Sequence, residues 1–147
     1  RYDIRKQWWK QLLALPGAKL HAHITPGQYS WIGVSSGIRG LGFNYMVTKT
    51  DCGVELYIDR GKDCEEENEA IFDQLCLSKS EIESSISFPV TWQRLDARRA
   101  CRIRINITGG YRSPEDEWPA IQQRMTEAMI QFEAALKPVL MGLKVGS

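Results

Sequence analysis

From Tyr2 to Leu15, apolar residues recur at helical steps: Ile4, Trp8, Trp9, Leu12, Leu13 and Leu15. The spacing predicts an amphipathic helix, and Pro16-Gly17 stops it. After a loose stretch ending in turn residues come three strand-like runs, SWIGVSS, LGFNYMVTK and CGVELYIDR. Their connections, SGIRG and KTDCG, are short enough for hairpins, so an antiparallel meander is predicted. Asp63 is then expected to cap a helix whose first turn carries Glu65, Glu66 and Glu67, where negative charge suits the helix dipole. Ile71, Leu75, Ile82 and Ile86 mark its apolar stripe as far as Ser87-Phe88, before Pro89. Two further strands, VTWQRL and ACRIRINIT, flank the polar turn DARR, and GGY closes the second. SPEDEW reads as a helix start, with Ser113 as N-cap and Pro114 at the first helical position. Trp118, Ile121, Met125, Met129, Phe132 and Leu136 carry that helix to Pro138.

The resulting order, α-βββ-α-ββ-α, predicts a single α+β domain over residues 1–147, with a five-stranded, mainly antiparallel sheet and three helices. In the third strand Val54, Leu56 and Ile58 alternate with Glu55, Tyr57 and Asp59. In the fifth, Cys101, Ile103, Ile105 and Ile107 alternate with Arg102, Arg104, Asn106 and Thr108. Period-two alternation gives the sheet one apolar and one charged face. If the two strands are neighbours, Glu55 and Asp59 are expected to pair with Arg102 and Arg104. Such cross-strand ion pairs contribute about 0.2–1 kcal/mol each. A sheet solvated on one side needs polar residues there in any case, so this pattern by itself does not demand a ligand.

Composition changes this picture little. A chain of 147 residues is long enough for one real core, and 43% apolar with 25% charged residues is ordinary for a globular protein. A formal net charge of +1 excludes no partner, but Arg94–Arg112 holds six Arg against one Asp, and Asp63–Glu83 is acidic with a single Lys. That asymmetry suits either a polar binding face or two elements that attract each other. Cys52, Cys64, Cys76 and Cys101 are scattered, without the paired spacing of a zinc site or a disulfide framework, so reduced and mostly buried thiols are expected. No run approaches the roughly 20 apolar residues of a membrane span, and RYDIRKQWWK is not a signal peptide. A cytoplasmic location is expected. The opening Arg suggests a piece of a longer protein.

Several chemistries can be weighed residue by residue. Helix, three antiparallel strands, helix and a further strand is the order of the restriction-endonuclease-like core, an analogy of fold that licenses no activity. Such a core holds magnesium on carboxylates of its second and third strands, with a Lys near the attacking water. Here Phe43-Asn44-Tyr45 offers no carboxylate, and Tyr57 stands where the Lys belongs. Glu55 and Asp59 lie about 13 Å apart by strand rise, too far to share one ion. Gly37, Gly40 and Gly42 run from strand to strand, not into a helix N-terminus, so they read as hairpin residues, not as a phosphate cradle. Arg39 at that loop tip remains a candidate ligand contact. His21 and His23 share a side of an extended segment, but no acid or Cys lies close in sequence to complete a metal site. No glycine-flanked Ser or Cys elbow is present. The Met and Phe stripe of the last helix reads as core. Trp8 and Trp9 point about 100° apart, so one of them is expected at the surface.

RYDIRKQWWKQLL, SWIGVSSGIRGLGFNYMV, VELYIDRG, NEAIFDQL, TWQRLDARRACRIRI and WPAIQQRM together resemble a prokaryotic family catalogued as domain of unknown function 4268. The likeness spans nearly the whole chain, and Cys101 stands where the family pattern has Ser. The resemblance implies a domain often found C-terminal to restriction-endonuclease-like domains, or alone in bacteria, and it brings no catalytic residues. The expectation is therefore a non-catalytic accessory or recognition domain of a larger prokaryotic protein, DNA-handling or defence-related, without cofactor or metal. On the charged sheet face Arg102 and Arg104 would contact phosphates and Tyr57 would stack on a base. Arg94, Arg98 and Arg99 would extend the basic patch. The alternatives are a protein–protein or dimerisation module, and a diverged nuclease-like fold with a lost or atypical metal site.

Overall fold

The computed structural model describes residues 3–95 and 99–145. Helix α1 (Ile4–Leu13) leads through a 3-10 turn (Pro16–His21) into strands β1 (Trp31–Ser35), β2 (Leu41–Val47) and β3 (Asp51–Ile58). Helices α2 (Glu65–Cys76) and α3 (Lys79–Ser84), strands β4 (Thr91–Gln93) and β5 (Cys101–Thr108) and helix α4 (Trp118–Met141) complete the α+β fold. The five strands lie in the order β1-β2-β3-β5-β4, every neighbouring pair antiparallel. The meander of β1 to β3 is as expected from its short connections. β5 then pairs with β3 along its whole length, and the short β4 forms the far edge.

The alternation along β3 and β5 sorts the sheet as the sequence predicts. Phe43, Tyr45, Val54, Leu56, Ile103 and Ile105 are buried on the helix-covered face. Phe132 of α4 meets Phe43 edge-on, ring centroids 6.1 Å apart. Trp8 packs edge-on against Trp118 at 5.0 Å, fixing α1 to α4. Both Trp8 and Trp9 are wholly buried, which corrects the expectation that one lies at the surface. Their directions do differ, but the chain before β1 covers the second: the Trp9 indole N–H donates to the Tyr29 carbonyl at 2.7 Å.

Helix boundaries differ more. The second predicted helix is two, because the Leu77 and Ser78 amides bond back three residues to Gln74 and Leu75 and tighten the turn. Leu77 is thereby thrown outward while Leu75 and Ile82 stay buried. Asp63 is not the cap. It has φ of 61°, and Cys64 occupies the N-cap position. Pro114 is extended and a 3-10 turn over Glu115–Glu117 follows, so the last helix starts at Trp118 rather than after Ser113. The Ser113 hydroxyl accepts from the Gly110 amide instead. That helix also runs through Pro138, since one missing amide near its C-terminal end is tolerated there. All four cysteines are free, two buried and two half-buried, and burial pushes the Cys52 thiol up to about 12.

His21 is wholly buried beneath the sheet. Its Nε2–H donates to the Phe43 carbonyl at 2.9 Å, and its ring meets Tyr45 at 4.6 Å. Burial lowers its pKa from 6.5, the Phe43 bond opposes this, and His23 adds repulsion. The folded chain therefore holds fewer protons than the unfolded chain at mildly acidic pH. The neutral ring's contribution is intact above the unfolded value and is lost as pH falls below it, by up to about 1.4 kcal/mol per pH unit for one proton. Urea midpoints should fall between pH 7.5 and pH 5, and His21→Gln should flatten that slope. An unchanged slope in the variant would assign the acid sensitivity to other groups.

Candidate functional site

The open face of the sheet is hollowed because several of its positions have no side chain. Gly33 of β1 and Gly42 of β2 project onto it beside Asn44, in register with Asn44 and Tyr57 respectively. A Cβ at Gly33 would run into the Asn44 amide oxygen, so the space over β1 depends on glycine there. A cavity of about 350 Å³ lies between Trp31, Asn44, Met46, Glu55, Arg102 and Arg104. A second hollow of about 250 Å³ continues over Gly33 and Gly42 and shares Trp31, Asn44 and Tyr57 with the first. Together they form one groove across the polar face.

The β2–β3–β5 register sets its floor. Glu55 lies opposite Asn44 on one side and Arg104 on the other, and Tyr57 lies opposite Arg102. Glu55 is only 5% exposed. Its Oε2 accepts from the Asn44 amide at 3.0 Å. Its Oε1 is 3.6 Å from Arg104 Nε and 4.0 Å from an Arg102 terminal nitrogen, ion-pair distances that are too long for good hydrogen bonds. Glu55 Oε1 and the Nε atoms of both arginines accordingly have no hydrogen-bond partner. Burial lowers the Arg104 pKa, Glu55 opposes that, and Arg102 adds repulsion. The Arg102 guanidinium sits 5.8 Å from the Tyr57 ring centroid. Trp31, 57% exposed at the sheet edge, forms the opposite wall.

Of the residues singled out in the sequence, Tyr57, Arg102 and Arg104 therefore come together. Arg94 points to the helical side and pairs with Glu69 and Asp73 of α2, both at 3.0 Å. Arg99 pairs with Asp59 at 2.8 Å. Asp59 thus does not pair with Arg102 or Arg104, as had been expected, because it lies just past the last β3–β5 pair, Ile58 with Cys101. Arg39 is exposed in the β1–β2 hairpin and donates to the Arg60 carbonyl at 2.8 Å. Gly37 and Gly40 take φ of 100° and 87° there, as hairpin glycines do. Arg98 lies outside the described residues. Trp31 and Asn44 were not singled out as ligand contacts. The available signal was parity: in an antiparallel meander Asn44 falls on the same face as Glu55, and Trp31 on the same face as both.

The IDRG stretch at the end of β3, residues 58–61, is a structural fastening. Arg60, 4% exposed, donates through Nε to Glu67 at 3.1 Å and through a terminal nitrogen to the Arg39 carbonyl at 2.6 Å. Asn68 accepts from the Arg60 amide and donates to the Arg99 carbonyl. The end of β3, the start of α2, the β1–β2 hairpin and the approach to β5 are tied at one point. Among the described residues no three His, Cys, Asp or Glu side chains gather as a metal site.

An α+β domain with one helix-covered face and one open, hollowed polar face is what the fold and the groove define. The chain belongs to the family described as Domain of unknown function (DUF4268), whose profile matches residues 4–140, as the resemblance in the sequence implied. No curated protein and no solved structure was found to match. No helix among the described residues is long and apolar enough to cross a membrane.

Arg60→Ala removes charged hydrogen bonds from a buried site and should destabilise by on the order of 2–3 kcal/mol. Arg94→Ala breaks partly exposed pairs with Glu69 and Asp73 and should cost about 1 kcal/mol or less. Urea denaturation of both variants checks the contrast; equal losses would contradict the fastening role.

Proposed function

We propose that this is a non-catalytic recognition domain of a larger prokaryotic protein, and that it binds single-stranded DNA in the groove of the open sheet face. The observation that carries the reading is the convergence of two aromatic walls, Trp31 and Tyr57, with two guanidiniums, Arg102 and Arg104, over an incompletely bonded polar floor. Bases of a single strand stack on aromatic side chains while cationic groups follow the phosphates. Duplex DNA keeps those base faces covered and has nothing to insert between Trp31 and Tyr57. A metal-dependent reading is disfavoured by charge, because Glu55 has a guanidinium on two sides that would repel a divalent cation.

A second reading is favoured by one observation. β1 is an edge strand, and Trp31 and Tyr29 beside it are 57% and 48% exposed. An extended segment of a partner protein could add to such an edge. Salt separates the readings, since phosphate binding weakens with ionic strength and apolar docking barely responds.

Fluorescence-anisotropy titration with labelled single- and double-stranded DNA at low and moderate salt is the test. Single strands should bind more tightly than duplex. Tyr57→Ala should weaken binding by about 1–3 kcal/mol, the usual worth of one stacked base. Replacing Arg102 and Arg104 by Ala should lower the salt slope by about 0.7 per lost phosphate contact. Absence of binding at low salt would reject this function and turn attention to the β1 edge.

A further inference from the structure

The sheet ends in two unlike edges. β4 is three residues long, with Pro89 shortly before it and Arg94 directly after it, and shortness and charge are usual guards of an edge. β1 is five residues long and holds no Pro, and no charged side chain separates His23 from Arg39. Among the described residues no strand lies beyond it. The phase of its hydrogen bonds decides which of its groups are open. Val47 donates its amide to the Ser30 carbonyl and Ser36 donates to Leu41, so Ile32 and Val34 are the residues bonded to Tyr45 and Phe43. The amides and carbonyls of Trp31, Gly33 and Ser35 therefore point away from β2, along the free edge. Trp31 and Ser35 are exposed there and Gly33 is half-buried. We propose that this edge is an interface between two copies of the chain, paired antiparallel across a two-fold axis at Gly33. The pairing gives the β1 edge its partner and stands independently of what the groove floor binds.

In that arrangement Gly33 faces the partner's Gly33, Trp31 faces the partner's Ser35, and Ile32 faces the partner's Val34. The open groups of each strand meet those of the other, giving up to about six main-chain hydrogen bonds. A two-fold axis sets each edge against itself, so a charged edge would repel its copy, and this edge carries no charge to do so. Its largest side chain lies opposite a small one. On the open face the Trp31 indole leans along its own strand, its far edge 3.2 Å from where a Gly33 Cβ would stand. With glycine on the axis, the two indoles meet over a pair of residues that have no side chains. Trp31, 57% exposed in the single chain, is thereby covered. At the start of β1 a cavity of about 530 Å³ lies between Ile24, Tyr29, Trp31 and Ile32. It comes opposite the partner's β1–β2 hairpin, which carries the half-buried Ile38. Facing residues share a side of the sheet, so the polar faces join into one and the helix-covered faces into another. An unrelated strand would have to supply this pattern, whereas the chain carries it already.

Sedimentation velocity of the whole chain tests the pairing. Over roughly 1 μM to 1 mM, the span of moderate to weak association, the mass should rise towards twice that of one chain. Added salt should change this little. Ser35→Pro removes an amide that β2 does not use, as edge positions tolerate, and should raise the dissociation constant about tenfold or more. Trp31→Lys puts the usual guard of an edge beside the axis and should do the same. Circular dichroism establishes that each variant is folded. The register is tested by mixing the single variants Trp31→Cys and Ser35→Cys. Facing residues of a hydrogen-bonded antiparallel pair stand about 5.5 Å apart at Cα, within reach of a disulfide. Mild oxidation should link the mixture, and neither variant alone, beyond the wild-type background. A wild type that stays monomeric throughout overturns the inference. So does a dimer that folded Ser35→Pro and Trp31→Lys leave unchanged, or a mixture that gains no link. The wild-type measurement stands even if a variant fails to fold. Mass and cross-linking are read without DNA, so failure of this pairing is distinct from failure of strand binding.

Discussion

Eight paired positions join β3 to β5, two strands separated in the chain by two helices and an edge strand. Closing so long a loop costs entropy that the hairpins β1–β2 and β2–β3 largely avoid. The return comes from burying Val54, Leu56, Ile103 and Ile105 in the same layer under α4. A slip of one residue would turn every one of these side chains to the open face and put the arginines into the core. The apolar requirement on the covered face thus sets the register, and the register places Glu55 opposite Arg104 and Tyr57 opposite Arg102 on the other face. The candidate site is a consequence of core packing on the far side of the same strands.

That placement carries a cost. A buried carboxylate with two partly buried guanidiniums recovers its desolvation only when hydrogen bonding is complete, and here one carboxylate oxygen and two Nε atoms lack partners. A network bonded only in part is less favourable than either a complete one or an apolar patch. Elsewhere the chain satisfies buried charge well: Arg60 is met by Glu67 and a carbonyl, and Asn68 is bonded at both ends. Buried polar atoms without hydrogen-bond partners also occur away from the groove, among them His21 Nδ1, Tyr45 Oη and Gln122 Oε1, so this criterion alone does not single out its floor.

The two sheet faces were legible because alternation along β3 and β5 is strict, and the hairpins because their connections are short. Pairing of β3 with β5 was not, since no local signal tells a strand which distant partner it meets. The break at Leu77 was hidden by the stripe itself: Leu75 and Ile82 both stay buried across it, so the pattern continues through a turn that the backbone does not. Helix starts were misplaced where capping residues found other work, Ser113 with the Gly110 amide and Asp63 in a left-handed turn. Trp9 was misjudged because burial depends on the chain before β1, which has no periodicity to read. For the site, parity identified Tyr57, Arg102 and Arg104. Proximity in sequence suggested Arg94 and Arg99 as well, but those belong to turns whose direction only the folded chain sets.

This sorting of the arginines bears on how the groove works. Six arginines in nineteen residues look like a basic patch when read as a string, but Arg94 is spent on α2 and Arg99 on Asp59, and Arg102 and Arg104 share Glu55. Two guanidiniums and one carboxylate make a weak field on a chain whose formal net charge is +1. Long-range steering and counterion release, which dominate sequence-independent DNA binding, therefore have little to act through. What the groove offers is short-ranged: the exposed Trp31 ring, Tyr57 and two partly exposed guanidiniums. On the proposed reading of the groove, binding rests on stacking of an accessible base more than on accumulated phosphate charge. Such a surface is poorly suited to tight coating of DNA through accumulated phosphate contacts.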